Sequence, residues 1–284
     1  MTKIYFSIDF EDISHDLGRF LKIDNKDLRS REDAVWTSYS IINKFIKNYL
    51  NDVKITFFCT GILAKLQPKI IEAIANDGHE IACHYYFHDH VNQDDINLFE
   101  DNVKKAINTL EDVSNKKVLG FRAPYWSINY KNIEHYKVIA KYFKYDSSLV
   151  ISSFFEVDKL KENPEIKNLI FLPVVSKKIY PLLPRLHFGG TYLKLFRANN
   201  MKKLLNHSKL KQMTPIIYMH PYEFMNDKSF YLTWRELDSL SFSKRIYWYS
   251  KQILWHTIGN KNVINYLSDI YDTHEPGGKL NSLL

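Results

Sequence analysis

The most chemically loaded stretch of the chain is Gly78-His79-Glu80-Ile81-Ala82-Cys83-His84-Tyr85-Tyr86-Phe87-His88, in which His84 and His88 stand four residues apart. If the chain turns helically after His84, both imidazoles point the same way and can share one divalent cation. With 11 histidines in the chain, that spacing alone is weak. An acidic cluster strengthens it. Asp9, Glu11 and Asp12 lie together near the N-terminus, and two histidines with one carboxylate make a zinc set that leaves a position for water. A second, unligated carboxylate can then take the proton of the attacking water, which a metal acidifies to a pKa of roughly 7. A further group must protonate the leaving group, and His220 fits by its position after Ile216-Ile217-Tyr218-Met219. Taken apart from the others, His220 reads as a structural or exposed histidine.

Such groups need a scaffold that brings distant parts of the chain to one place. Short β-rich runs alternate with amphipathic stretches. Strands are expected at 4–9, 53–59, 79–84, 118–121, near 169–174 and at 215–219, with helices at 36–50, 62–76, 95–113 and 133–143. This alternation predicts a mostly parallel α/β sheet, open or closed into a barrel. In such sheets function collects at the carboxyl ends of the strands. Asp9, Glu11 and Asp12 follow the first strand, His84 and His88 the third, Arg122 the fourth and His220 the last. Four strands therefore deliver ionisable groups to one rim.

The order acidic cluster, His-x-x-x-His, Arg-x-Pro-Tyr, Asp-Ser-Ser and late His resembles the NodB-type polysaccharide deacetylases, carbohydrate esterase family 4. The motifs are Ser7-Ile8-Asp9-Phe10-Glu11-Asp12, the stretch Gly78 to His88, Gly120-Phe121-Arg122-Ala123-Pro124-Tyr125, Tyr145-Asp146-Ser147-Ser148, and Met219-His220-Pro221-Tyr222-Glu223. The first looks like the Asp-x-Glu-Asp variant of the subgroup associated with exopolysaccharide and O-antigen loci. The segment Gly189-Gly190-Thr191-Tyr192-Leu193 resembles a glycine-aromatic loop of that subgroup. The likeness covers roughly 4–225, and five motifs in order are jointly specific.

The resemblance implies a distorted (β/α) barrel and metal-dependent removal of acetyl from an N-acetylated sugar of a bacterial surface polysaccharide or its precursor. Carried residue by residue, Asp9 is the general base, and Asp12, His84 and His88 hold one divalent ion, expected to be zinc. Glu11 is the alternative carboxylate ligand. Arg122 orients Asp9, and the Tyr125 backbone N–H helps stabilise the oxyanion. His220 is the general acid, with Asp146 as its electrostatic partner. Two departures bear on the substrate: the tryptophan often found with the fourth motif is absent, and Tyr218 replaces the usual leucine. The competing readings are an amidohydrolase acting on a small non-sugar amide and a catalytically dead carbohydrate-binding barrel.

The remaining features bound the answer. The chain has 284 residues, 39 Lys+Arg against 32 Asp+Glu, a net charge of +7, and 45% hydrophobic residues, which excludes a disordered chain. It reads as a single domain over 1–284, with a motif-bearing core at 4–225 and a helical extension at 226–284. The lysines are scattered without a nucleic-acid signature, so no nucleic-acid partner is expected. The two cysteines offer no disulfide framework and read as buried small residues. No secretory signal or 18-residue apolar span is recognised, so a cytoplasmic protein is expected. Within 241–260, basic residues alternate with Phe242, Ile246, Tyr247, Trp248, Tyr249, Ile253, Leu254 and Trp255. The first expectation for this segment is a closing helix packed on the barrel with a basic rim. The second is weak peripheral attachment to the anionic inner face of a membrane. Composition says nothing of the oligomeric state.

Overall fold

The computed structural model describes residues 3–23, 30–179 and 185–284, with the backbone alone for 196–199. Eleven strands are found among them: β1 Lys3–Phe10, β2 Thr56–Cys59, β3 Glu80–Cys83, β4 Gly120–Phe121, β5 Tyr145–Asp146, β6 Val150–Ile151, β7 Ile170–Phe171, β8 Val174–Lys177, β9 Leu186–His187, β10 Ile216–Met219 and β11 Glu275–Pro276. The helices are α1 Ile13–Phe20, α2 Glu32–Tyr49, α3 Gly61–Leu66, α4 Pro68–Asn76, α5 Ile96–Ser114, α6 Ile133–Tyr142, α7 Phe155–Lys161, α8 Gly190–Leu210, α9 Phe242–Thr257 and α10 Val263–Tyr271.

The main sheet runs β10-β1-β2-β3-β4-β5-β7, all neighbours parallel, with β11 added beside β1. A second sheet, β6-β8-β9, follows. It returns to β10 where Gly189 bridges Tyr218. Strands and helices thus form the incomplete α/β barrel of the NodB deacetylase type. β1, between β10 and β2 in this order, is buried from Ile4 to Phe10. Gly189 is required at the return: with φ at 139°, an added Cβ would lie 2.1 Å from the Tyr218 carbonyl oxygen.

Local chemistry explains most of the boundaries. α2 buries Val35, Tyr39, Ile42, Phe45 and Ile46, a helical stripe against the sheet. Asp95 caps α5 by accepting from the Asn97 and Leu98 N–H groups, and Asn115 ends it in the left-handed region. The single helix expected at 62–76 is two, because Pro68 cannot supply an N–H and starts a new helix as its first residue. Helices α1, α7 and α8 are additional to the sequence expectations, while α10 falls in the helical extension expected at 226–284. Cys59 and Cys83 are buried, unbridged register partners on β2 and β3.

The C-terminal segment folds back beneath the strands. Leu280 is buried, its N–H donates to Thr56 Oγ1, and the Asn281 N–H donates to Glu80 Oε2. Glu80 and Thr56 stand at the start of their strands, so this tail closes the end opposite the polar rim.

Candidate functional site

Strand alternation builds the first wall. Side chains two apart on β1 share a face, so Ser7 and Asp9 point together, and Glu11 continues the same parity past the strand end. Arg122, fully buried after β4, reaches across to them. Its Nη1 donates to Asp9 Oδ1 at 2.5 Å and to Ser7 Oγ at 3.0 Å, and its Nη2 donates to Ser147 Oγ at 2.9 Å. The guanidinium also lies over the Phe58 ring, 3.9 Å from its centre. Burial alone would raise the Asp9 carboxyl, but Arg122, His84 and His220 outweigh it and hold it below its ordinary value. Asp9 is therefore ionised, with Oδ1 fixed and Oδ2 turned toward His220 Nε2, 4.0 Å away.

The histidine pair forms the second wall, though not through a helix. Tyr85 takes φ of 66°, in the left-handed region, and 84–90 is an irregular loop. His84 and His88 nevertheless meet, ring centres 5.2 Å apart. His84 Nδ1 lies 2.7 Å from the Arg122 carbonyl oxygen, which can only accept. That places the proton on Nδ1 and leaves Nε2 as a lone pair. Burial pushes both imidazoles down to about 4, so they are neutral, as ligands must be.

The acidic cluster divides differently from the sequence expectation. Among the described residues, one group of three has ligand atoms all within 4.8 Å of one another: Glu11, His84 and His88. Asp12 is not in it. The Asp12 carboxylate caps α1 and is already occupied, accepting from His15 N–H at 3.2 Å, Ser30 Oγ at 2.8 Å and Arg31 N–H at 2.6 Å. Glu11 Oε2, by contrast, is buried with no hydrogen bond. It sits 2.6 Å from His88 Nε2 without hydrogen-bond alignment. Since burial holds His88 neutral, this contact is not an ion pair. Burial raises Glu11 to about 7 against the pull of His220 and His84, which marks a carboxylate short of positive charge. An orphaned carboxylate oxygen beside two neutral imidazoles fits a divalent cation.

His220 follows β10 on the far side of Asp9. Burial would lower it, but Glu223, with Glu11 and Asp9 adding, raises it to about 9. Glu223 Oε2 accepts from His220 Nδ1 at 3.1 Å and from His220 N–H at 2.9 Å, so Nε2 carries the available proton. Glu223 holds the place expected for Asp146. Asp146 instead accepts from Ser148 Oγ at 2.6 Å, while Ser148 Oγ accepts from the Ala123 N–H at 2.8 Å. It braces the loop 122–125 from behind; burial raises its carboxyl to about 7. Tyr125 has φ of 56° and stacks its ring on His90 at 4.5 Å, at the rim.

These groups line a cavity of about 470 Å³. Its polar floor is Asp9, Glu11, His84, His88 and His220, and its walls include Trp126, Tyr218, Tyr222, Tyr192 and Trp255. Trp126 packs edge-on to Tyr218 at 4.9 Å, supplying aromatic surface where the fourth motif has none. Thr191, Tyr192 and Leu195 come from the segment after Gly189, here the first two turns of α8. Sequence reasoning passed over several members. Ser7 was legible from its i, i−2 relation to Asp9, and Glu223 from its i+3 relation to His220. Asp16, buried near His88 and raised to about 6 by burial, carried no local signal. Nor did Trp255 and His256, which reach the cavity from α9.

Comparison with known proteins agrees with this picture. Residues 40–140 match the family model for polysaccharide deacetylase. The chain is 30% identical over 152 residues to a peptidoglycan deacetylase-like protein of Gibberella zeae, covering 52% of this chain and 44% of that one. It is 26% identical over 152 residues to a peptidoglycan deacetylase of Helicobacter pylori, covering 53% and 50%. The chain thus spans about half the length of these relatives. Among solved structures, a Mycobacterium smegmatis protein assigned as a polysaccharide deacetylase superposes with a TM-score of 0.56 at 18% identity, covering 97% of this chain and 92% of that one, a likeness of fold. Through residues 40–140 the chain is similar to the polysaccharide deacetylase family, and its fold is that of a solved relative of the same description.

Proposed function

We propose that this protein is a metal-dependent hydrolase that removes the acetyl group from an N-acetylated sugar of a surface polysaccharide or its precursor. The observation that carries the reading is the opposition of two proton carriers across one ligand set. Asp9 Oδ2 and His220 Nε2 face each other at 4.0 Å, one ionised and one protonated, beside Glu11, His84 and His88. In this proposal Glu11, His84 and His88 hold one divalent ion, zinc by the chemistry of the donors. When bound, that ion supplies Lewis acidity for the acyl oxygen and makes water a competent nucleophile near neutral pH.

The chain's own residues do the rest. Asp9 takes the water proton at Oδ2, since Oδ1 is held by Arg122. His220 Nε2 donates a proton to the sugar nitrogen as the C–N bond breaks, giving acetate and a free amine. Glu223 keeps the proton on that side of the ring. Arg122 positions Asp9, and the Tyr125 backbone N–H assists at the oxyanion. The aromatic walls suit the apolar face of a pyranose ring. The motif Asp9-Phe10-Glu11-Asp12 supports a place in the exopolysaccharide and O-antigen subgroup. The same reading treats the whole chain as one domain, supported by β11 on β1 and by the α9 side chains at the cavity.

Acetate release from N-acetylated oligosaccharides by the zinc-loaded protein tests the reading. Asp9→Asn is expected to keep its metal and lose turnover by about 100-fold or more, the scale of a lost general base. An Asp9→Asn protein as active as the parent removes the mechanism; metal-dependent release from small amides but from no acetylated sugar moves the protein to the amidohydrolase reading.

A further inference from the structure

α9 is docked inside out. The residues it buries are the polar Gln252 and His256, 1% and 3% exposed, while Leu254, Tyr247 and Phe242 stand 57%, 55% and 71% exposed. At about 100° per residue, Leu254 and Tyr247 lie on the side of the helix directly away from Gln252 and His256. Ile246 and Ile253 flank them on one side, Lys244 and Lys251 on the other.

Hydrogen bonds explain the inversion. Gln252 Oε1 accepts from the Leu232 N–H at 2.7 Å and Nε2 donates to the Leu232 carbonyl at 3.2 Å. Lys194 Nζ donates to the Trp255 carbonyl, and Asn260 Nδ2 donates to the Tyr222 and Met225 carbonyls. The helix is held by polar pairs, and its apolar arc is left over. A soluble surface helix normally does the reverse.

From this arc we infer a docking surface for an anionic lipid bilayer. Residues 242–257 contain no carboxylate and carry Lys244, Arg245 and Lys251. The Lys251 ammonium is embraced by Trp255, Trp248 and Tyr247, 4.2, 4.5 and 5.3 Å from their ring centres. Aromatic rings around a cation, set beside aliphatic side chains, suit the boundary between headgroups and acyl chains. The chain's charge of +7 adds attraction of the same sign. Phe20 of α1, also exposed, packs edge-on to Trp248 at 5.7 Å and widens the surface. Between α1 and α9 lies a cavity of about 240 Å³ lined by Leu17, Trp248, Lys251 and Trp255, which shares Tyr125, Trp255 and His256 with the catalytic cavity. A bilayer seated on α9 would therefore lie at the mouth of the site.

Co-sedimentation with vesicles tests this without reference to catalysis. The parent protein is expected to sediment with phosphatidylglycerol-containing vesicles at low salt, to release at high salt, and to ignore pure phosphatidylcholine. Tyr247→Ser/Leu254→Ser, on the outer arc, is expected to lower partitioning by about tenfold or more with an unchanged circular dichroism melt, and Lys244→Gln by about fivefold. Absence of binding to anionic vesicles at low salt overturns the inference. So does undiminished binding by the double variant, or a self-associated parent whose dimer the double variant dissolves, which would assign the arc to a second copy of the chain.

Discussion

Asp12 and Glu11 are adjacent carboxylates with opposite fates, and the difference lies in who else wants them. Asp12 is saturated by His15, Ser30 and Arg31, whereas Glu11 Oε2 has no donor. Glu11→Gln is accordingly expected to weaken zinc binding by more than the ~10–100-fold seen for supporting residues. Asp12→Ala should retain stoichiometric metal and cost about 1–2 kcal/mol of stability through the lost cap. Metal analysis and urea unfolding of the two proteins separate the roles. His220 allows a second prediction, with a definite sign. Held protonated up to about 9, it can donate across neutral pH, and the activity falls as pH rises through that value. Removing the Glu223 charge takes away the largest influence holding it up. In Glu223→Gln the alkaline limb of the pH–kcat profile should move toward the ordinary histidine value of 6.5. An unshifted limb would remove Glu223 as the partner of His220.

Elements with a strong period were readable, and those held by partners were not. β1, α2 and α5 followed their apolar spacing to within a few residues. α8 did not, because it opens on Gly189-Gly190, a pair that reads as a turn, and shows no clean stripe. α9 was expected as a closing helix packed on the barrel with a basic rim, or as an interfacial one; its docking rests on Gln252, His256 and the carbonyls that meet Lys194 and Asn260. No periodicity rule anticipates a helix whose inner face is polar. Gln252→Ala should leave both polar backbone groups of buried Leu232 without partners, costing about 2–6 kcal/mol at ~1–3 kcal/mol per group. Denaturant midpoints will show it; a loss below half a kcal/mol, the usual size of a neutral surface change, would mean that the helix is held by something else.

At the scale of the molecule, the two ends of the barrel have separate tasks. The rim at the carboxyl ends gathers Asp9, Glu11, His84, Arg122 and His220 from β1, β3, β4 and β10. The opposite end is closed by the returning chain, through β11 beside β1 and Leu280 above Thr56. No described helix is long and apolar enough to cross a membrane. The segment after residue 225 is structurally continuous with the motif-bearing part, contributing Trp255 and His256 at the cavity and Asn260 under the His220–Phe224 turn.

What the sequence determined by itself was the rim. Apolar runs mark strands, strand ends mark the functional edge, and residue parity along β1 puts Ser7, Asp9 and Glu11 on one face. All of that is local, because side-chain direction in a strand depends only on the backbone's period of two. What only the tertiary structure decided was the use of each group. Whether a buried carboxylate is a cap, a ligand, a base or a brace depends on donors that arrive from elsewhere: Arg31 for Asp12, Arg122 for Asp9, Ser148 and the loop it holds for Asp146. Buried polar atoms must find partners, those partners are distant in the chain, and their pairing is set only when the barrel closes.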